Sequence, residues 1–73
     1  MVTLVTEGQM FVRNSDGKEC VITYTDNGKC DLLFSNRFLM RDIDQDVVIR
    51  DYELKTDYGN VLNAIEELID DTD

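Results

Sequence analysis

Met10-Phe11-Val12-Arg13-Asn14-Ser15-Asp16-Gly17-Lys18-Glu19-Cys20-Val21-Ile22-Thr23-Tyr24-Thr25-Asp26-Asn27-Gly28-Lys29-Cys30-Asp31-Leu32-Leu33-Phe34 holds two polar clusters that end in glycine, each between apolar runs. That pattern marks β-hairpins, because glycine takes the left-handed position of a tight turn without steric cost. Three-residue loops, Ser15-Asp16-Gly17 and Asp26-Asn27-Gly28, predict the registers. Asn14 then faces Lys18, Arg13 faces Glu19, Val12 faces Cys20, Phe11 faces Val21 and Met10 faces Ile22. In the second hairpin Thr25 faces Lys29, Tyr24 faces Cys30, Ile22 faces Leu32 and Cys20 faces Phe34.

These registers gather Met10, Val12, Cys20, Ile22, Tyr24, Cys30, Leu32 and Phe34 on one sheet face. The other mixes Gln9, Thr23 and Asp31 with Phe11, Val21 and Leu33. A two-residue Asn27-Gly28 loop would pair Thr25 with Cys30 and Tyr24 with Asp31, scattering polar groups over both faces. A one-residue slip moves side chains across a sheet, so the segregated register is preferred. Gly8 is placed to bend or bulge a long first strand running from about Val2.

Beyond Phe34, Ser35-Asn36-Arg37 reads as a turn, Phe38-Leu39-Met40 as a brief apolar run, and Asp42 to Asp46 as a polar break. Val47-Val48-Ile49-Arg50-Asp51-Tyr52-Glu53-Leu54 is rich in β-branched and aromatic residues and predicts a further strand. A helix capped by Thr56 or Asp57 follows, with Val61, Leu62, Ile65, Leu68 and Ile69 on one face. Acids crowd its C-terminal end, where the helix dipole disfavours them, so residues 57–73 form an acidic helix with a frayed tail. The expected fold is α+β: an antiparallel β-meander of about four strands, covered on one face by a C-terminal amphipathic helix. With 73 residues the whole chain is one domain.

Charge divides the chain. Residues 1–41 balance Glu7, Asp16, Glu19, Asp26 and Asp31 against Arg13, Lys18, Lys29, Arg37 and Arg41. Residues 42–73 set Asp42, Asp44, Asp46, Asp51, Glu53, Asp57, Glu66, Glu67, Asp70, Asp71 and Asp73 against Arg50 and Lys55 alone, so this half carries the full net charge of −9. Such asymmetry predicts a basic partner and argues against direct nucleic-acid binding, which needs Lys and Arg to displace phosphate counterions. No run approaches the roughly 18 apolar residues of a membrane span, and Met1-Val2-Thr3-Leu4-Val5-Thr6-Glu7 lacks the basic start of a signal peptide. A cytoplasmic protein without membrane contact is expected.

The chemical inventory is short. The chain has no histidine, the usual general base and commonest metal ligand. Its four glycines stand apart, so there is no phosphate-cradling loop. Neither an enzyme nor a bound cofactor is expected. Cys20 and Cys30 form no CxxC pair. In the predicted register they are offset by about 13 Å along the strands, beyond disulfide reach, and read as buried thiols suited to a reducing compartment.

Asp42-Ile43-Asp44-Gln45-Asp46-Val47-Val48-Ile49-Arg50-Asp51-Tyr52-Glu53 resembles a twelve-residue EF-hand calcium loop, with Asp42, Asp44, Asp46 and Glu53 in ligand positions. It departs from that pattern where Val47 stands in place of the turn glycine. An acidic loop leading into a strand is the expectation, with no metal site.

At class level, size and charge resemble the small acidic proteins that phages and mobile elements encode to occupy nucleic-acid-binding enzymes or regulators. The expected function is therefore a non-catalytic interaction module. Its acidic face (Asp42, Asp44, Asp46, Asp51, Glu53, Glu66, Glu67, Asp70 and Asp71) would dock on a basic protein surface. In extended chain Asp42, Asp44 and Asp46 would form a row spaced about 6–7 Å apart. The alternative is a self-associating structural or assembly subunit, a homodimer joined through Phe11, Val21 and Leu33.

Overall fold

The computed structural model describes residues 5–69. Strands β1 (Gln9–Arg13), β2 (Glu19–Asp26), β3 (Lys29–Phe34) and β4 (Leu39–Asp44) form an antiparallel meander. Helix α1 (Gln45–Asp51) leads into β5 (Tyr52–Asp57), which pairs antiparallel with β1, and helix α2 (Val61–Ile69) ends the described chain. The sheet order is β4-β3-β2-β1-β5, so α1 carries the chain from one edge to the other. Among the described residues the fold is thus α+β, with five strands and two helices against an expectation of about four strands and one helix.

The crossover shapes the sheet. Edge strands of a flat five-stranded sheet lie about 19 Å apart, four steps of about 4.8 Å. Helix α1 follows β4 and precedes β5 without a linker, and its seven residues span only about 10 Å. The sheet must therefore coil, bringing its edges toward each other on the side of α1. Both ends of α1 are tied down: the Gln45 amide donates to the Gly28 carbonyl at 2.9 Å, and the Asn14 amide donates to the Asp51 carbonyl at 3.0 Å.

Two cores result, one on each side of the sheet. On the α1 side, Phe11, Cys20, Ile22, Cys30, Leu32 and Phe34 pack with Val5, Val48 and Tyr52. On the opposite side, Met10 and Val21 pack against Ala64 and Leu68 of α2.

The hairpins differ in detail from the predicted registers. Met10 faces Val21, Phe11 faces Cys20 and Val12 faces Glu19, one residue away from expectation. Arg13 and Lys18 form the last pair, so the loop holds four residues, Asn14 to Gly17. Asp16 explains the extra residue: its carboxylate accepts from the Arg13 guanidinium at 2.8 and 3.1 Å and from the Lys18 amide at 3.2 Å, bracing both flanks. The slip puts Phe11, not Met10, into the α1-side core.

The second hairpin uses the two-residue loop that polarity argued against. Asp26 faces Lys29, Thr25 faces Cys30 and Tyr24 faces Asp31. Asn27 (φ 54°) and Gly28 (φ 82°) are both left-handed, as an Asn-Gly type I′ turn requires. A bulge between Ile22 and Tyr24 then restores the predicted pairs Ile22–Leu32 and Cys20–Phe34. The turn satisfies its own geometry, and the bulge returns the core residues to the correct face.

Two further expectations are corrected. Val47-Val48-Ile49-Arg50-Asp51 is helical, not extended, and the strand begins at Tyr52. Helix propensity separates valine from good helix formers by less than about 1 kcal/mol, which tertiary context overrides. Here the crossover needs a short rigid connector, Val48 is fully buried, and Asp46 and Arg50 stand at the ends where the helix dipole favours them. In addition, α2 is capped by neither Thr56 nor Asp57. The Asn60 side chain accepts from the Asn63 amide at 2.8 Å, while Asp57 accepts from the Gly59 amide in a preceding turn.

At the start of β1, the expected long strand is absent from the described part. Val2 to Leu4 lie outside the described residues, and β1 begins at Gln9, just after Gly8 (φ 91°). The Gly8 amide donates to the Ile22 carbonyl at 2.9 Å, and its carbonyl accepts from the Tyr58 amide at 3.1 Å. It joins the sheet to the chain entering α2.

Candidate interaction surface

The basic side chains are mostly engaged. Arg13 pairs with Asp16, Lys29 with Asp44, Arg41 with Asp31, Arg50 with Asp51 and Lys55 with Glu19, which uses five of the seven bases. All are surface pairs, so each contributes little to stability. Their electrostatic signature is consistent: hydrogen bonds to Asp44, Asp51 and Glu19 raise the pKa of Lys29, Arg50 and Lys55 respectively. Among the described residues, Asp26, Asp42, Asp46, Glu53, Glu66 and Glu67 make no ion pair. The excess negative charge is therefore displayed, not internally compensated.

The predicted acidic face does not form one row. Asp42 sits at a bulge in β4 with φ 62°, its amide donating to the Asp31 carboxylate at 3.1 Å. Asp44 ends β4 and is bound by Lys29 at 2.8 Å, and Asp46 lies in the first turn of α1. Asp51 closes α1 beside Arg50, Glu53 is exposed on β5, and Glu66 and Glu67 are exposed on α2. Asp70 and Asp71 lie outside the described residues. The strand–helix–strand path also spreads Asp42, Asp44, Asp46 and Glu53 along three elements instead of round a calcium loop. Among the described residues no group of three His, Cys, Asp or Glu side chains is placed to hold a metal ion.

The expected self-association trio is divided. Phe11 belongs to the α1-side core, whereas Val21 is fully buried beneath α2 and Leu33 packs beside it, half-buried. Cys20 and Cys30 are free, buried and on the α1 side. Burial pushes their thiols up, Cys20 to about 12 and Cys30 to about 11.

Open clefts flank the sheet. One of about 460 Å³ is lined by Tyr24, Asp26, Lys29, Asp31, Arg41 and Asp42 among others. Another, of about 420 Å³, lies between α1 and the first hairpin and includes Arg13, Ser15, Arg50, Asp51 and Tyr52. In the first, Arg41 pairs with Asp31 while Lys29 turns to Asp44; in the second, Arg50 pairs with Asp51 and Arg13 with Asp16.

Exposed apolar side chains are the feature that sequence reasoning missed. Leu62 is 75% exposed on α2, Leu39 44% on β4 and Leu54 53% on β5. The spacing puts Leu62 on the same helical face as Leu68, whereas the structure buries Ala64 with Leu68 and leaves Leu62 exposed. The signal was present in the sequence, since Ala64 and Leu68 are four apart and can serve as the centre of the buried arc. No helix among the described residues is long and apolar enough to cross a membrane. Comparison with known protein families, with characterised proteins and with solved structures yields no match.

Proposed function

We propose that this chain is a non-catalytic, acidic protein-interaction module of the cytoplasm. It acts as a regulator or inhibitor, of the kind phages and mobile elements encode, by docking on a basic protein surface. The observation that carries this reading is the charge arrangement: acids engage most of the bases, yet Asp46, Glu53, Glu66 and Glu67 stay exposed and form no ion pair among the described residues. Fixed carboxylates on helices and a strand draw a basic surface from a distance and speed encounter.

A self-associating assembly subunit is the second reading. Phe11 and Val21 are internal, so its support comes from exposed Leu39, Leu54 and Leu62.

The test compares the wild type with a variant carrying Asp46→Asn, Glu53→Gln, Glu66→Gln and Glu67→Gln. Each would be used to capture host proteins, and the captured protein would then be titrated across a salt series. A basic partner that salt releases and the variant fails to hold is the expected result. A partner held equally by the variant, with no salt dependence, would refute acidic docking.

A further inference from the structure

Helix α2 is apolar over a wider arc than the sheet covers. At about 100° per residue, Ala64 and Leu68 face the sheet, and Val61, Ile65, Ile69 and Leu62 follow in turn around one flank. Exposure grows along that flank: Leu68 is 3% exposed, Ile65 and Ile69 are half-buried, and Leu62 is 75% exposed. Glu67 stands about 160° round the helix from Ile65, and Leu33 of β3 packs against the same cluster as Ile65 and Ile69, so the apolar flank turns toward β3.

The sheet continues the pattern on that same side. Leu39 faces Leu33, Leu33 faces Val21 and Val21 faces Met10, giving one apolar row across four strands. Met10 and Val21 lie under α2 and are 1% and 0% exposed. Leu33 is half-buried against the α2 cluster, and Leu39 is 44% exposed. Helices packed side by side lie about 8–10 Å apart, roughly the width of two strands. Helix α2 covers β1 and β2, which leaves the β3–β4 half one helix wide.

Charge selects the occupant. Glu66 stands exposed one turn after Leu62, and Arg41 of β4, the cation nearest Leu39 along that strand, is turned to Asp31. A second copy would bring like charges together on chains of net charge −9, whereas a basic amphipathic helix supplies an apolar stripe and cations together. Resting on the acidic-docking reading above, we infer that the strip of Leu33, Leu39, Leu62, Ile65 and Ile69 receives an amphipathic basic helix of a partner protein, laid alongside α2.

Two synthetic peptides of identical leucine and lysine composition test this. One places its leucines in a helical stripe; the other is scrambled so that no stripe forms. Binding of each is measured by fluorescence anisotropy over a salt series, and the protein alone is sedimented at the same concentrations. The double variant Leu39→Gln/Leu62→Gln changes only exposed positions, and circular dichroism checks its fold. The wild type should prefer the striped peptide by about tenfold or more, as burial of two leucine side chains implies. The variant should lose that preference while binding the scrambled peptide like the wild type. Equal, salt-sensitive binding of both peptides by the wild type would overturn the strip and leave acidic docking standing. Failure of both peptides to bind at low salt would overturn both. A wild-type dimer that the double variant dissociates would assign the strip to a second copy, and overturn the inference as well.

Discussion

Substituting Gly8→Ala tests how the two layers are joined. A Cβ at Gly8 would lie 2.7 Å from the backbone N and C of Asn60 and 2.8 Å from its Cα, well inside van der Waals contact. These are backbone atoms at the start of α2, so no side-chain rotation relieves the clash. The residue also has φ 91°, where a side chain costs about 1–2 kcal/mol. Forcing a methyl into a filled site adds about 1–3 kcal/mol, for a total of about 2–5 kcal/mol. A domain of this size has only about 4–11 kcal/mol of stability in all. Gly28→Ala is the control: its φ is 82° but nothing lies within 4 Å, so it should cost only about 1–2 kcal/mol. Urea unfolding followed by far-ultraviolet circular dichroism gives both values. With a slope near 1 kcal/mol per molar urea, the Gly8→Ala midpoint should fall by about 2 M or more. A Gly8→Ala midpoint equal to that of Gly28→Ala would show that α2 does not press on Gly8, and the layer geometry would be wrong.

Other outcomes follow from the same structure. The hydrogen bond from Arg13 holds the Asp16 carboxyl down at about 2, against an ordinary 3.8. A carboxylate depressed on folding contributes stability fully above its unfolded value, and that contribution is lost as pH falls from about 4 through about 2. Carboxyl NMR should place the midpoint near 2 in the wild type and near 4 in Arg13→Leu; equal midpoints would remove the Arg13–Asp16 pair from solution. Cys20 and Cys30, buried with raised thiol pKa values, should resist a thiol reagent at pH 8 until urea unfolds the chain. Stoichiometric reaction within minutes in native buffer would contradict their burial. Val48→Ala should cost about 2 kcal/mol, while Ile49→Ala, at a 40% exposed position, should cost under about 1 kcal/mol. The reverse order would place α1 the wrong way round.

The hairpins were legible in the sequence because glycine-ended polar clusters are a local signal, and Gly17 (φ 74°) and Gly28 are indeed left-handed. Their registers were less so. Asp16 adds a residue to the first loop through bonds to both flanks, and a bulge near Thr23 lets the second turn and the core obey different parities. Neither effect follows from apolar alternation alone. The stretch from Val47 to Asp51 was misread because β-branched residues favour strands locally, whereas the need to cross a coiled sheet arises only once β5 has paired with β1. The same error displaced the acidic row, since Asp46 belongs to a helix. The apolar flank of α2 was visible as a pattern, but its exposure depends on where Ala64 lets the helix approach the sheet.

The pairing of β5 with β1 has a consequence for the order of assembly. The meander's strand pairs join residues close in sequence, such as Asp26 with Lys29, and can zip from their turns. Gln9 must instead find Asp57 and Arg13 must find Tyr52, across the entire meander and α1. Loop-closure entropy makes such distant contacts late and slow. The meander is therefore the early template, and β5 with α2 is the clasp. Until the clasp closes, the outer edge of β1 stays open and Met10 and Val21 are bare, so the half-folded chain is the form most exposed to aggregation.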